Sequence, residues 1–184
     1  MERQPLWTRN FTILTLGTVV SMLGNAISGF ALSLLILDYT GSTLLYAIFM
    51  VVYNLPKIIM PSIAGPYLDR FSRTKAIWTL DYLSAALYLV IFFLLRGGLF
   101  NYALLLGLCI VIGTIDSVYL VAYDSLYPML ISEGNYAKAY SISSMIYPLS
   151  ALMVPIASWC YEHVGLTPLF LFNAATFAIA ATFE

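Results

Sequence analysis

Lys57, Asp81 and Asp116 are ionisable residues that fall inside long apolar runs of this chain. At the centre of a membrane helix such a side chain costs about 2.5–3.5 kcal/mol on insertion scales, so it needs a partner or a wet cavity. One ammonium and two carboxylates can compensate one another. The spacing predicts an internal charge pair between Lys57 and either Asp81 or Asp116, and Asp116 could also carry a proton. Counting back at 1.5 Å per residue puts Lys57 about 18 Å along its helix from Asp69, near mid-bilayer. Asn25, Tyr53, Tyr119 and Tyr147 also lie inside apolar runs, where an amide or hydroxyl must find a partner. They are the candidates for lining a polar path through the domain.

Other chemistries find little to work with. His163 is the only histidine and falls in a polar connection, so neither a histidine-ligated metal site nor a Ser–His pair inside a span is expected. Cys109 and Cys160 lack metal-type spacing and read as small buried hydrophobes. No G-x-x-x-x-G-K-[ST] run is present, which argues against a nucleotide-driven machine. No metal, no cofactor and no enzymatic activity is expected. A net charge of -1 excludes a broadly basic surface, so nucleic acid is not an expected partner.

The elements that must position these residues are apolar helices. The 184 residues are 61% hydrophobic and only 9% charged, with a mean hydropathy of +0.90, too few charges to build a water-facing surface. Runs of about 20 apolar residues are what a bilayer demands. Six are expected, at about 11–37, 43–68, 76–95, 102–123, 139–160 and 168–184, forming a single transmembrane domain in the lipid bilayer. Pro56 and Pro61 predict a kink in the second. The first is too long for the apolar core of a signal peptide and is expected to be retained.

Short loops rich in Lys and Arg stay cytoplasmic. Placing the N-terminus inside puts Arg3, Arg9, Arg70, Arg73, Lys75 and Lys138 on that side and leaves Arg96 outside. Both ends of the chain are therefore expected to be cytoplasmic. Asp38 and Glu162 fall at outer boundaries and are expected to be solvated.

Gly65-Pro66-Tyr67-Leu68-Asp69-Arg70-Phe71-Ser72-Arg73-Thr74-Lys75, between the second and third runs, resembles the loop signature G-x-x-x-D-R/K-x-G-R-R/K of the major facilitator superfamily. Gly65, Asp69, Arg70 and Arg73 match; Ser72 replaces a glycine and Thr74 a basic residue. Tyr39-Thr40-Gly41-Ser42, Asn54-Leu55-Pro56 and Phe172-Asn173-Ala174-Ala175-Thr176-Phe177 are similar to the macrolide and siderophore exporter branch. The chain departs from that branch where Ser21-Met22-Leu23-Gly24 is followed by Asn25 instead of an acid. It departs again at Met153-Val154-Pro155, where an antiporter would carry a Gly-Pro pair.

The resemblance implies an all-α fold of six transmembrane helices arranged as two three-helix inverted repeats, the N-terminal half of a twelve-helix transporter. Its partner would be the missing C-terminal half or a second copy. It further implies export of a small hydrophobic or amphipathic compound across the cytoplasmic membrane by alternating access, driven by an ion gradient. Antiport is included and the coupling ion, protons among the options, is left open. Gly65, Asp69, Arg70 and Arg73 would form a cytoplasmic latch, with Gly65 allowing close helix approach and Asp124 as the acidic partner of Arg73. Two rival readings are a non-transporting scaffold or assembly subunit and the membrane domain of an ATP-driven exporter.

Overall fold

The computed structural model describes residues 5–68, 70, 72–99 and 101–183, and for Tyr147 the main chain alone. The described chain is helical, without a strand. The helices are α1 (Arg9–Thr40), α2 (Thr43–Leu68), α3 (Arg73–Arg96), α4 (Tyr102–Leu126), α5 (Tyr136–Ala151), α6 (Met153–Val164) and α7 (Thr167–Phe183), with one 3-10 turn, Tyr127–Leu130, after α4.

Local sequence explains where they start and stop. Thr8 caps α1, its Oγ1 accepting from the Phe11 N–H at 3.3 Å. Gly41 ends α1 at φ 58°, a left-handed conformation that suits glycine, and its N–H returns to the Leu37 carbonyl at 2.9 Å. Ser72 begins α3 by accepting from the Lys75 N–H. Arg73 and Lys75 are therefore on the first turn of a helix and not in a loop. Asn101 caps α4 through the Leu104 N–H at 3.1 Å.

Five helical stretches among the described residues are long and apolar enough to cross a bilayer: α1, α2, α3, α4 with its 3-10 turn to Leu130, and Tyr136–Val164, which joins α5 and α6. The region of the sixth expected span is a shorter apolar helix, α7, of 17 residues, at the lower limit for spanning. The fifth run is not one continuous helix as expected. It breaks at Leu152, whose N–H turns back to the Leu149 carbonyl at 3.1 Å. Pro148 and Pro155 flank the break and remove two N–H donors from the ladder. By contrast α2 stays helical through Pro56, Pro61 and Pro66.

Packing is selective. α3 lies chiefly against α7 and α4, α2 against α4, and α1 against α7, α6 and α5. Two glycines set the tightest seams. A Cβ on Gly24 of α1 would collide with Asn173 Oδ1 and Thr176 Oγ1 of α7, and one on Gly113 of α4 would collide with the Tyr53 carbonyl oxygen of α2. Neither seam was anticipated from sequence. Gly65, where close approach was expected, has nothing within 4 Å of a built Cβ. Among the described residues it is not a packing glycine.

Two apolar cores hold the bundle. One gathers Leu32, Leu35, Phe49, Tyr88, Ile112 and Phe170, with Tyr88 stacked on Phe177 at 5.8 Å between ring centroids. The other gathers Phe11, Leu14, Leu68, Ile77, Tyr123 and Tyr127. On each of the first four helices, residues of one core lie toward one end and residues of the other toward the opposite end. Positions between the two cores are thus the middle of the domain.

Candidate functional site

That middle is polar. On α1, Thr15, Thr18, Ser21, Asn25 and Ser28 recur every three or four residues, which places them on one helix face. Thr15, Thr18, Ser21 and Ser28 are buried. Thr18 Oγ1 pairs with the Tyr119 hydroxyl of α4 at 3.3 Å.

Between the cores this face opens onto a cavity of about 280 Å³. α1 supplies Ser21, Met22 and Asn25; α2 supplies Tyr53 and Lys57; α3 supplies Asp81 and Ser84. α4 adds Ile115, Asp116, Ser117, Tyr119 and Leu120, and α7 adds Phe177. The three ionisable residues singled out in the sequence, Lys57, Asp81 and Asp116, therefore share one cavity with Asn25, Tyr53 and Tyr119. The side chain of Tyr147 lies outside the described atoms.

Lys57 and Asp116 are bridged by Tyr53, as a relay. Lys57 Nζ sits 4.3 Å above the centroid of the Tyr53 ring, a cation–π placement. The Tyr53 hydroxyl donates to Asp116 Oδ2 at 2.8 Å. An aromatic ring with a polar tip thus carries the interaction from ammonium to carboxylate. Residues 53 and 57 are one helical turn apart, so a common face for them was legible; the Gly113 contact that sets α2 against α4 was not. Phe49 stacks on Tyr53 at 5.9 Å and steadies the ring from the apolar side. Asp81 is fully buried, whereas Asp116 is half-buried and Lys57 exposed on α2.

At one end of the bundle the loop motif reaches the end of α4. Arg73 Nη1 donates to the Ser125 carbonyl oxygen at 3.3 Å and lies 2.7 Å from Met129 Sδ. The guanidinium thus goes to the terminal carbonyls of α4, which lack helical partners and attract cations. Asp124, one residue earlier, is exposed. Arg70 is exposed on the connecting turn, and Asp69 lies outside the described residues. At the other end Asp38 is not merely solvated: Tyr161 donates its hydroxyl to Asp38 Oδ2 at 2.6 Å, joining the ends of α1 and α6. Among the described residues no group of three or more His, Cys, Asp or Glu side chains could hold a metal ion.

Residues 14–183 match the family pattern described as Major Facilitator Superfamily. The chain belongs to the major facilitator superfamily. Membership covers nearly all of the described helices. Within the superfamily the chain is similar to a Bacillus subtilis (strain 168) protein described as "Uncharacterized MFS-type transporter YkuC". The two are 26% identical over 174 residues, 94% of this chain and 40% of that protein. The chain therefore spans less than half the length of this curated relative. No solved structure matches.

Proposed function

We propose that the chain is the N-terminal, six-span half of a longer secondary transporter of the cytoplasmic membrane, and that the cavity between its two apolar cores is the substrate and coupling site. The observation that carries this reading is the convergence of Lys57, Asp81 and Asp116 on one mid-domain cavity, at a depth where each charge is costly unless used. A structural scaffold gains nothing from such a cavity that apolar packing would not supply at lower cost.

Helix pairing supports two inverted three-helix repeats, the construction common among such transporters. If α1, α2 and α3 correspond to α4, the α5–α6 pair and α7, then the α2·α4 contact maps onto α1 with α5–α6, and α3·α4 maps onto α1·α7. The α3·α7 contact maps onto itself. All of these contacts occur. α2 and the α5–α6 stretch are the least buried of the five long spans, which suits them to face the second half. The coverage of only 40% of the relative's length agrees.

In this reading the loops rich in Lys and Arg lie inside and both ends of this chain are cytoplasmic, with Arg73 at the inner end of α4 as part of a latch with Gly65, Asp69, Arg70 and Asp124. The cargo is a small hydrophobic or amphipathic compound, moved outward by alternating access. Flux of ethidium from proteoliposomes containing the full-length protein, with and without a proton or sodium gradient, tests this. Gradient-dependent flux that is lost in Asp116→Asn supports the reading. Flux that requires ATP, or no flux of ethidium or other amphipathic dyes under any gradient, contradicts it.

A further inference from the structure

Away from the central cavity, the end of the bundle that holds the second core carries an open groove of about 440 Å³ between the segment before α1 and the start of α5. Leu6, Trp7, Ala137, Lys138, Ser141 and Ile142 line it. Both walls are fixed. Leu6 is 9% exposed and joins the core, the Ser132 hydroxyl donates to the Pro5 carbonyl oxygen at 3.1 Å, and Trp7 meets Phe11 edge-on at 5.5 Å between ring centroids. On the other side the Tyr127 hydroxyl donates to the Ala139 carbonyl oxygen at 2.6 Å and holds the first turn of α5. The groove is therefore formed before anything enters it.

Its chemistry is divided. Leu6, Ala137, Ile142 and the Trp7 ring are apolar, whereas the Trp7 N–H and the Lys138 ammonium only donate hydrogen bonds. Trp7 is 56% exposed, and Lys138 is exposed as well. Among the described residues no side-chain acceptor takes up either donor. Arg9, exposed at the start of α1, puts a second positive charge two residues from Trp7, while Glu133 lies outside the lining. An occupant that satisfies all of this joins a negatively charged, acceptor-rich group to an apolar portion. A helix of the second half would instead bury the ammonium against an apolar floor, at a cost in desolvation.

We propose that this groove is a docking site for an anionic phospholipid of the bilayer, with its phosphate on Lys138 and the Trp7 N–H and an acyl chain along Leu6 and Ile142. In the orientation proposed above, this end meets the cytoplasmic leaflet, whose anionic lipids attract basic residues near the membrane surface. The indole suits the same depth, since tryptophan favours the headgroup level. A bound lipid ties the start of α1 to the start of α5. The inference goes beyond the transport reading and holds whatever the central cavity carries.

Thermal unfolding of the full-length protein in detergent, followed as lipid is added, tests this without any flux measurement. Dioleoyl phosphatidylglycerol, dioleoyl phosphatidylcholine and glycerol 3-phosphate are compared at equal ionic strength. A saturable rise of about 2–4 °C in the midpoint with phosphatidylglycerol, and a clearly smaller one with phosphatidylcholine, is expected. Glycerol 3-phosphate, which lacks the acyl chains, should have no effect. Lys138→Gln should raise the half-saturating phosphatidylglycerol concentration about fivefold or more. Lys75→Gln removes a basic residue at the same end but outside the groove, and should leave that concentration unchanged. Trp7→Phe keeps a ring against Phe11 and removes the N–H, so it should weaken binding by a smaller factor; it takes the place of Lys138→Gln should that variant fail to fold. Equal responses to the two lipids, a response unchanged in Lys138→Gln, or one weakened alike in Lys75→Gln would overturn the proposal. So would a rise with glycerol 3-phosphate alone, the mark of an adventitious ion only, or no response to any lipid, the mark of a groove covered by the second half.

Discussion

Tyr53 and Asp116 are joined by a 2.8 Å hydrogen bond that ties α2 to α4 in the middle of the domain. The Lys57 ammonium rests 4.3 Å from the centroid of that same aromatic ring, so one side chain contacts both a base and an acid. Tyr53→Phe keeps the ring and removes only the donor. It should lower gradient-driven flux about tenfold, the equivalent of one hydrogen bond to a charged group, while the unfolding midpoint stays close to that of the unaltered protein. Flux assays paired with thermal unfolding separate the two effects.

Compensation inside a membrane should appear in a double-variant cycle. Lys57→Met leaves Asp116 without its nearby cation and should harm expression and stability more than Lys57→Met combined with Asp116→Asn. Equal damage by the single and double changes would refute the coupling. The comparison is made on the yield of monodisperse protein and on its unfolding midpoint.

The two glycine seams carry opposite expectations to Gly65. Gly113→Ala drives a methyl group into the Tyr53 carbonyl, and Gly24→Ala into Asn173 and Thr176. Each should destabilise by about 1–3 kcal/mol, the usual cost of overpacking. Asn173→Ala should relieve part of the Gly24→Ala defect, since it removes one of the two atoms that collide. Gly65→Ala has open space and should be neutral to mildly stabilising in the same unfolding assay, alanine being the better helix former.

Arg73 binds main-chain oxygen, which fixes the prediction for its neighbour. Arg73→Ala should lower stability by about 1–2 kcal/mol through loss of a charge-assisted hydrogen bond at the end of α4. Asp124→Asn, at an exposed position, should change it by less than about 0.5 kcal/mol. A large effect of Asp124→Asn on flux with none on stability would instead assign Asp124 to a contact with the second half.

Much of the domain was legible in the sequence because lipid leaves few options. Lack of water forces backbone groups to pair within helices, so apolar runs near spanning length gave helices close to their observed bounds, and charges within those runs marked the cavity. Helix partners were harder to read. The Gly24 and Gly113 seams depend on which helices meet, and nothing in local spacing distinguishes them from Gly65 or Gly107. Ser21-Met22-Leu23-Gly24 and Phe172-Asn173-Ala174-Ala175-Thr176 stood out separately as motifs, yet their contact is a long-range fact. The Lys57–Tyr53–Asp116 relay was hidden for a similar reason: charge counting pairs opposite signs and overlooks an aromatic ring able to stand between them. The break at Leu152 follows from Pro148 and Pro155, a signal in plain view whose effect differed from that of the three prolines in α2.

Alternating access is the central claim, and it can be measured without knowing the cargo. Asn25→Cys is placed in a Cys109→Ala/Cys160→Ala background of the full-length protein, so that the cavity carries the introduced thiol. The protein is reconstituted in vesicles and treated with a membrane-impermeant maleimide from one face at a time. Labelling from each face, with Lys57→Cys behaving alike, is the predicted result. Labelling of both positions from one face alone, or from neither, would contradict the account.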